Sequence, residues 1–168
     1  ATLNDHESAM LPDGPVSPEP IEVFSRQIPQ SWLDYNGHMN ETHYLELFSQ
    51  ANDRIMALVG ADADYIERGL SFFTVETHIR HLDELNAGDR VRVTTQVIMG
   101  AGKKLRVFHR IESADGRLTA TGEHLLIHVD LKTRRACEPA EPVLSRLAAY
   151  AEAHENLPLP EDAGRSIG

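Results

Sequence analysis

The sequence predicts an α+β domain in which one long helix covers the apolar face of a single antiparallel sheet. From Glu41 to Val59 the residues Tyr44, Leu47, Phe48, Ala51, Ile55, Leu58 and Val59 recur at three- and four-residue steps, the period of an amphipathic helix. After Gly69 the period drops to two, and four strand-like segments follow with short turns between them. A lone sheet must bury its apolar face, and the 41–59 helix is the segment long and apolar enough to do it.

Taken in order, residues 1–20 hold Pro12, Pro15, Pro18, Pro20 and Gly14 without periodicity and read as a disordered or linker-like arm. Residues 21–28 form a first strand that Pro29 stops, and the dense loop W-L-D-Y-N-G-H-M-N at 32–40 follows. Asn40 is placed to cap the long helix, Met39 to staple onto Tyr44, and Gly60 to stop the helix in a left-handed turn. A short helix over 62–68 ends at Gly69. In the next strand Phe73, Val75 and Ile79 share one face and Phe72, Thr74, Glu76, His78 and Arg80 the other. Turns at Gly88-Asp89, at 100–102 and at Asp115-Gly116 lead into strands at 90–99, 104–112 and 118–130. These four consecutive strands read as a meander, giving a curved five-stranded sheet, and a last helix runs from Pro142 through Ala153. The domain therefore spans 21–155, with a loose tail over 156–168.

The formal charge is −10, most of it at the two ends, which argues against sequence-independent nucleic-acid binding. Arg90, Arg92, Lys103, Lys104, Arg106 and Arg110 nevertheless cluster in sequence and leave room for a local anion site. Cys137 stands alone, so no internal disulfide or Cys-rich zinc site is expected. His124 and His128, four residues apart on a strand, lie about 13 Å apart, too far for one metal. No apolar run approaches a membrane span, so a cytoplasmic protein with no membrane partner is expected.

The 32–40 loop is the candidate site, because loops on rigid scaffolds concentrate binding and catalytic groups. Asp34 supplies a carboxylate, either as a catalytic group or as the centre of an Asx-turn. The helix after Asn40 supplies free N–H groups and the positive end of a dipole. Gly37 either lets backbone approach a ligand or takes a positive φ, and His38 either meets a carbonyl, holds Asp34 or is structural.

With D-Y-N-G-H-M-N at the loop-to-helix junction, residues 20–150 resemble the hotdog-fold acyl-CoA thioesterases, in which a D-x-x-G-H-x-N-like sequence opens the central helix. T-V-E-T-H-I-R-H-L-D-E at 74–84, the Lys103-Lys104 hairpin, H-V-D at 128–130 and the closing G-R-S-I-G are similar, more narrowly, to the thioesterase domain found alone or fused behind L-carnitine dehydrogenase. That resemblance implies hydrolysis of a short acyl-CoA, betainyl-CoA above all, in carnitine catabolism, with Asp34 as general base or nucleophile and Gly37, His38 and Asn40 around it. It also implies coenzyme A as part of the substrate, no separate cofactor, and a homodimer or dimer of dimers with the site at the interface. No G-x-G-x-x-G fingerprint is present, so dehydrogenase activity does not carry over.

A trimethylammonium substrate would favour a carboxylate with an aromatic cage, for which Glu76, Trp32, Tyr35, Tyr44 and Phe72 are the candidates. Lys103, Lys104 and Arg106 are candidates for the phosphates of coenzyme A. The alternative function is a non-catalytic module of the same shape that binds acyl-CoA or a small acyl ligand.

Overall fold

A computed structural model of the chain describes residues 7–9 and 16–167. Seven strands form one antiparallel sheet: β1 (Glu7–Ala9), β2 (Ile21–Gln27), β3 (Leu70–His81), β4 (Arg90–Ala101), β5 (Lys104–Ser113), β6 (Leu118–Asp130) and β7 (Arg135–Ala136). The helices are α1 (Glu41–Val59), α2 (Ala63–Glu67) and α3 (Val143–His154). The sheet curves around α1, as the hotdog resemblance implied.

Helix α1 begins and ends as its sequence dictates. The Asn40 side chain accepts the Thr42 N–H, and Gly60 takes a left-handed φ of 88°. Its inner face buries Leu47, Phe48, Ala51 and Ile55 against β4, β5 and β6. Gly122 makes this close approach possible, because a Cβ there would stand 2.7 Å from the Phe48 ring. Truncating Phe48 to alanine would cost about 3–5 kcal/mol. Helix α3 flanks α1, joined to it by the Arg146 guanidinium donating to the Leu58 carbonyl at 2.6 Å.

Four expectations are corrected. The strand order is β1-β2-β4-β5-β6-β3, so only β4, β5 and β6 form a meander. Strand β3 sits beyond β6, and residues 82–89 cross to the far side of the sheet with Leu85 fully buried. The reason lies in that connection: eight residues anchored by a core leucine span the sheet, whereas a tight hairpin would have paired β3 with β4.

Second, β3 does not alternate strictly. Its register against β6 shifts between Thr74 and Glu76, and the extra residue, Val75, exchanges the two faces. Phe72, Thr74, Thr77, Ile79 and His81 pair with the helix-facing residues of β6, while Glu76, His78 and Arg80 lie on the opposite face.

Third, the short strands β1 and β7 bring the predicted five strands to seven. Strand β1 falls within the predicted arm, where the open edge of β2 offers it unpaired backbone groups; the rest of 1–15 lies outside the described residues.

Fourth, the tail is tied down across the outer face of the sheet. Gln96 donates to the Pro158 carbonyl at 3.2 Å, Arg80 pairs with Asp162 at 2.5 Å, and the Gly164 N–H donates to Glu123 at 2.8 Å. Among the described residues no helix is long and apolar enough to cross a membrane.

Candidate active site

The loop before α1 is a compact hairpin-like turn. Leu33 and Met39 bridge its base, the Asp34 N–H donates to the His38 carbonyl at 3.0 Å, and Gly37 closes the turn at φ 82°. Glycine adopts that φ without strain, so Gly37 is placed where the turn needs it. The Met39 N–H donates to the Leu85 carbonyl at 2.7 Å, fastening the loop to the crossover between β3 and β4.

Asp34 does form an Asx-turn: its Oδ1 accepts the Asn36 N–H at 2.9 Å. Its second oxygen has no protein partner among the described residues and remains available as base or nucleophile. The Glu41 N–H, first in the helix, likewise meets no acceptor among the described residues, whereas Asn40 takes the Thr42 N–H at 3.0 Å. A half-exposed carboxylate and an open helix N-terminus thus line one cleft.

Both His38 ring nitrogens are engaged. Nδ1 donates to Asn86 Oδ1 at 3.0 Å, and Nε2 pairs with the Glu84 carboxylate. His38 thereby ties the loop to the crossover.

The loop, the first turn of α1 and the crossover enclose a cleft of about 640 Å³ that includes Asp34, Tyr35, Glu41, Tyr44, His81 and Asp83. Glu84 lines it too, so four carboxylates share one mouth. The Tyr44 hydroxyl reports the resulting potential. Its pKa is pushed up to about 12, first by burial and then by the negative charges of Asp83 and Glu84. Arg117 pairs with Asp83 at 2.9 Å and holds its carboxyl below the usual range. His81 packs edge-on against Tyr44 with ring centroids 4.9 Å apart.

The predicted ammonium cage is not assembled within one chain. Tyr44 lines the cleft and Tyr35 projects from its rim, 96% exposed. Trp32 is sandwiched between the Arg26 guanidinium at 4.1 Å and the parallel His43 ring at 4.4 Å, so both its faces are occupied. Phe72 packs edge-on against His128, nine residues and thus about 30 Å along β3 from His81. Glu76, carried to the outer face by the bulge, shares a second cleft of about 310 Å³ with Lys104 and Arg106. There Arg106 is held by Glu123 at 2.6 Å, and Lys103 lies in the exposed β4–β5 turn.

Sequence reasoning missed His81, Asp83, Glu84 and Asn86. The carboxylates stand in the L-D-E run at 82–84, which gave a signal only as part of the longer family match.

Comparison with known proteins fits this arrangement. The sequence model of the thioesterase-like superfamily matches residues 28–147. This chain belongs to the thioesterase-like superfamily. It is 49% identical over 173 aligned residues to the L-carnitine dehydrogenase/betainyl-CoA thioesterase of Ruegeria pomeroyi, a match covering 99% of this chain and 35% of that protein. The chain therefore spans about a third of the length of the fused relatives it matches. A stand-alone relative, the betainyl-CoA thioesterase of Pseudomonas aeruginosa, is 38% identical, with 88% of this chain and 94% of that protein covered. Among solved structures, a Staphylococcus aureus protein in complex with CoA superposes with TM-score 0.84 at 25% identity, over 94% of this chain and 99% of that one. The hotdog fold of this superfamily member is shared with its structural neighbours.

Proposed function

We propose that this superfamily member hydrolyses the thioester of betainyl-CoA to betaine and free coenzyme A. The observation that carries the reading is the cleft in which Asp34 stands beside the unpaired first N–H of a 19-residue helix. As water attacks the carbonyl, Asp34 accepts its proton; in the covalent alternative Asp34 attacks first and water opens the resulting anhydride. The Glu41 N–H and the helix dipole stabilise the oxyanion, the C–S bond breaks, and coenzyme A leaves as the thiolate.

The acyl preference follows from charge. A mouth in which Asp34 and Glu41 carry no ion-pair partner among the described residues, beside the Tyr44 and Tyr35 rings, attracts a trimethylammonium group and repels an anionic acyl group. The fused and stand-alone relatives named for betainyl-CoA support the same choice. Lys103, Lys104 and Arg106 are the proposed contacts for the phosphates of coenzyme A, and no further cofactor is required. A coenzyme A thioester as substrate supports a cytoplasmic location.

The working unit is proposed to be a homodimer formed through β3, either alone or as a dimer of dimers. Strand β3 is twelve residues long and, among the described residues, pairs on one side only, and Phe73 and Val75 are exposed along it. A two-fold axis through its middle would lay the Phe72 end of one strand against the His81 end of the other, offering Phe72 to the partner's cleft.

Thiol release from a panel of acyl-CoA thioesters tests the reaction. Wild-type protein should turn over betainyl-CoA, and Asp34→Asn should lose roughly 100-fold or more in kcat. Wild-type turnover by Asp34→Asn would remove Asp34 from the mechanism. A melting shift with coenzyme A but no thiol release from any substrate would favour the non-catalytic module.

A further inference from the structure

Asn52 is the amide among the buried residues of α1, and it meets two buried histidines. Its oxygen accepts from His109 Nε2 at 2.7 Å, and its NH2 group donates to His124 Nδ1 at 3.5 Å. The polarity is dictated by chemistry, because an amide oxygen only accepts and an amide nitrogen only donates. His109 Nδ1 in turn accepts the Thr95 hydroxyl at 2.8 Å, and His124 Nδ1 also accepts the Thr77 hydroxyl at 3.1 Å. One helical side chain is thereby tied to β5 and β6, and through them to β4 and to the edge strand β3.

Around Asn52 the buried residues Leu47, Phe48, Ala51 and Ile55 of α1 are apolar. Apolar packing tolerates small shifts, whereas hydrogen bonds between buried groups are directional and costly to leave unmade. A slip of one residue would move Asn52 about 1.5 Å along the helix axis and turn it about 100° away from both rings. Phe48, one turn earlier on the same face, stands 5.8 Å from the His109 ring and 5.9 Å from the His124 ring, so it rides on the same pair.

We propose that Asn52 is a positioning residue: its bonds to His109 and His124 set the rotation and register of α1, and so fix where Asp34 and the Glu41 N–H stand relative to β3. The catalytic consequence rests on the function proposed above; the register itself does not.

Two variants separate positioning from simple stability. Asn52→Leu leaves the buried His109 Nε2–H without an acceptor, and both the melting temperature and kcat should fall. The combined variant Asn52→Leu/His109→Leu/His124→Leu, with Thr77→Val and Thr95→Val because their hydroxyls donate to those rings, removes the stranded polar groups, and its melting temperature should return toward wild type. Its kcat on betainyl-CoA should stay at least tenfold down with KM within about threefold, and amide exchange in the first turn of α1 should run at least tenfold faster. Recovery of kcat along with stability, or unchanged exchange in that turn, would overturn the proposal. A wild-type protein inactive on every acyl-CoA would defeat the proposed reaction alone, and the exchange measurement would still decide the role of Asn52.

Discussion

The two faces of the sheet carry charge in different ways. On the inner side, at the N-terminal end of α1, four carboxylates share one cleft, and Glu41 among them has no ion-pair partner among the described residues. On the outer side the charges are largely matched: Arg106 with Glu123, Arg80 with Asp162, and Arg92 with Glu112. Matched pairs fasten the tail and the edge strand. In the cleft Arg117 matches Asp83 and His38 matches Glu84, so Asp34 and Glu41 are the carboxylates left, among the described residues, to meet a ligand that brings positive charge. On the function proposed above, this contrast favours the crossover over Glu76 as the place where a cationic acyl group would sit.

The largest effect should come from the inner cleft, where Asp34→Asn should cost roughly 100-fold or more in kcat while the melting temperature stays near wild type. A large loss of stability in that variant would make Asp34 a turn residue first.

The next effect concerns the buried histidines under α1. Burial holds His109 well below the ordinary imidazole range and His124 at about 4. The unfolded chain therefore binds more protons than the folded one between about pH 6.5 and 4. Stability should fall as pH drops through that window, by up to about 1.4 kcal/mol per pH unit for each such histidine, and the His124 contribution should level off below about pH 4. Chemical denaturation at several pH values checks this. Replacing both histidines with leucine should flatten the curve.

Smaller changes sharpen the contrast in charge. Glu41→Gln should raise KM for betainyl-CoA about threefold, as expected for one partly exposed charge, and leave a neutral acyl-CoA unchanged. Glu76→Gln, on the outer face, should shift the betainyl-CoA KM less than twofold. An effect of Glu76→Gln exceeding that of Glu41→Gln would return the cation site to the outer cleft.

Much of this was legible in the sequence because local rules govern it. Asn40 as cap, Gly60 as stop and the buried stripe of α1 follow from spacing and backbone preference alone. Asp34 and Gly37 were found because they sit beside that helix in the chain. The faces of β3 were misread because a bulge at Val75 leaves no mark in an alternating pattern, and a single extra residue inverts every later side chain. That inversion separated Glu76 from Tyr44. The crossover was misread because its length alone does not say which strand it reaches, and with it went Asp83 and Glu84. The partnership of Asn52 with His109 and His124 spans more than 50 residues and depends on the sheet order, which periodicity does not encode.

The central claim is that the Asp34 cleft selects a cationic acyl group for hydrolysis. Its most direct test is kcat/KM for betainyl-CoA against 3,3-dimethylbutyryl-CoA, which has the same shape with carbon in place of the quaternary nitrogen. Each value is divided by the uncatalysed hydrolysis rate of its own thioester. A preference for the cation of at least roughly tenfold is expected from a cation–π contact and a carboxylate mouth acting together. Equal values for the two substrates would contradict the account.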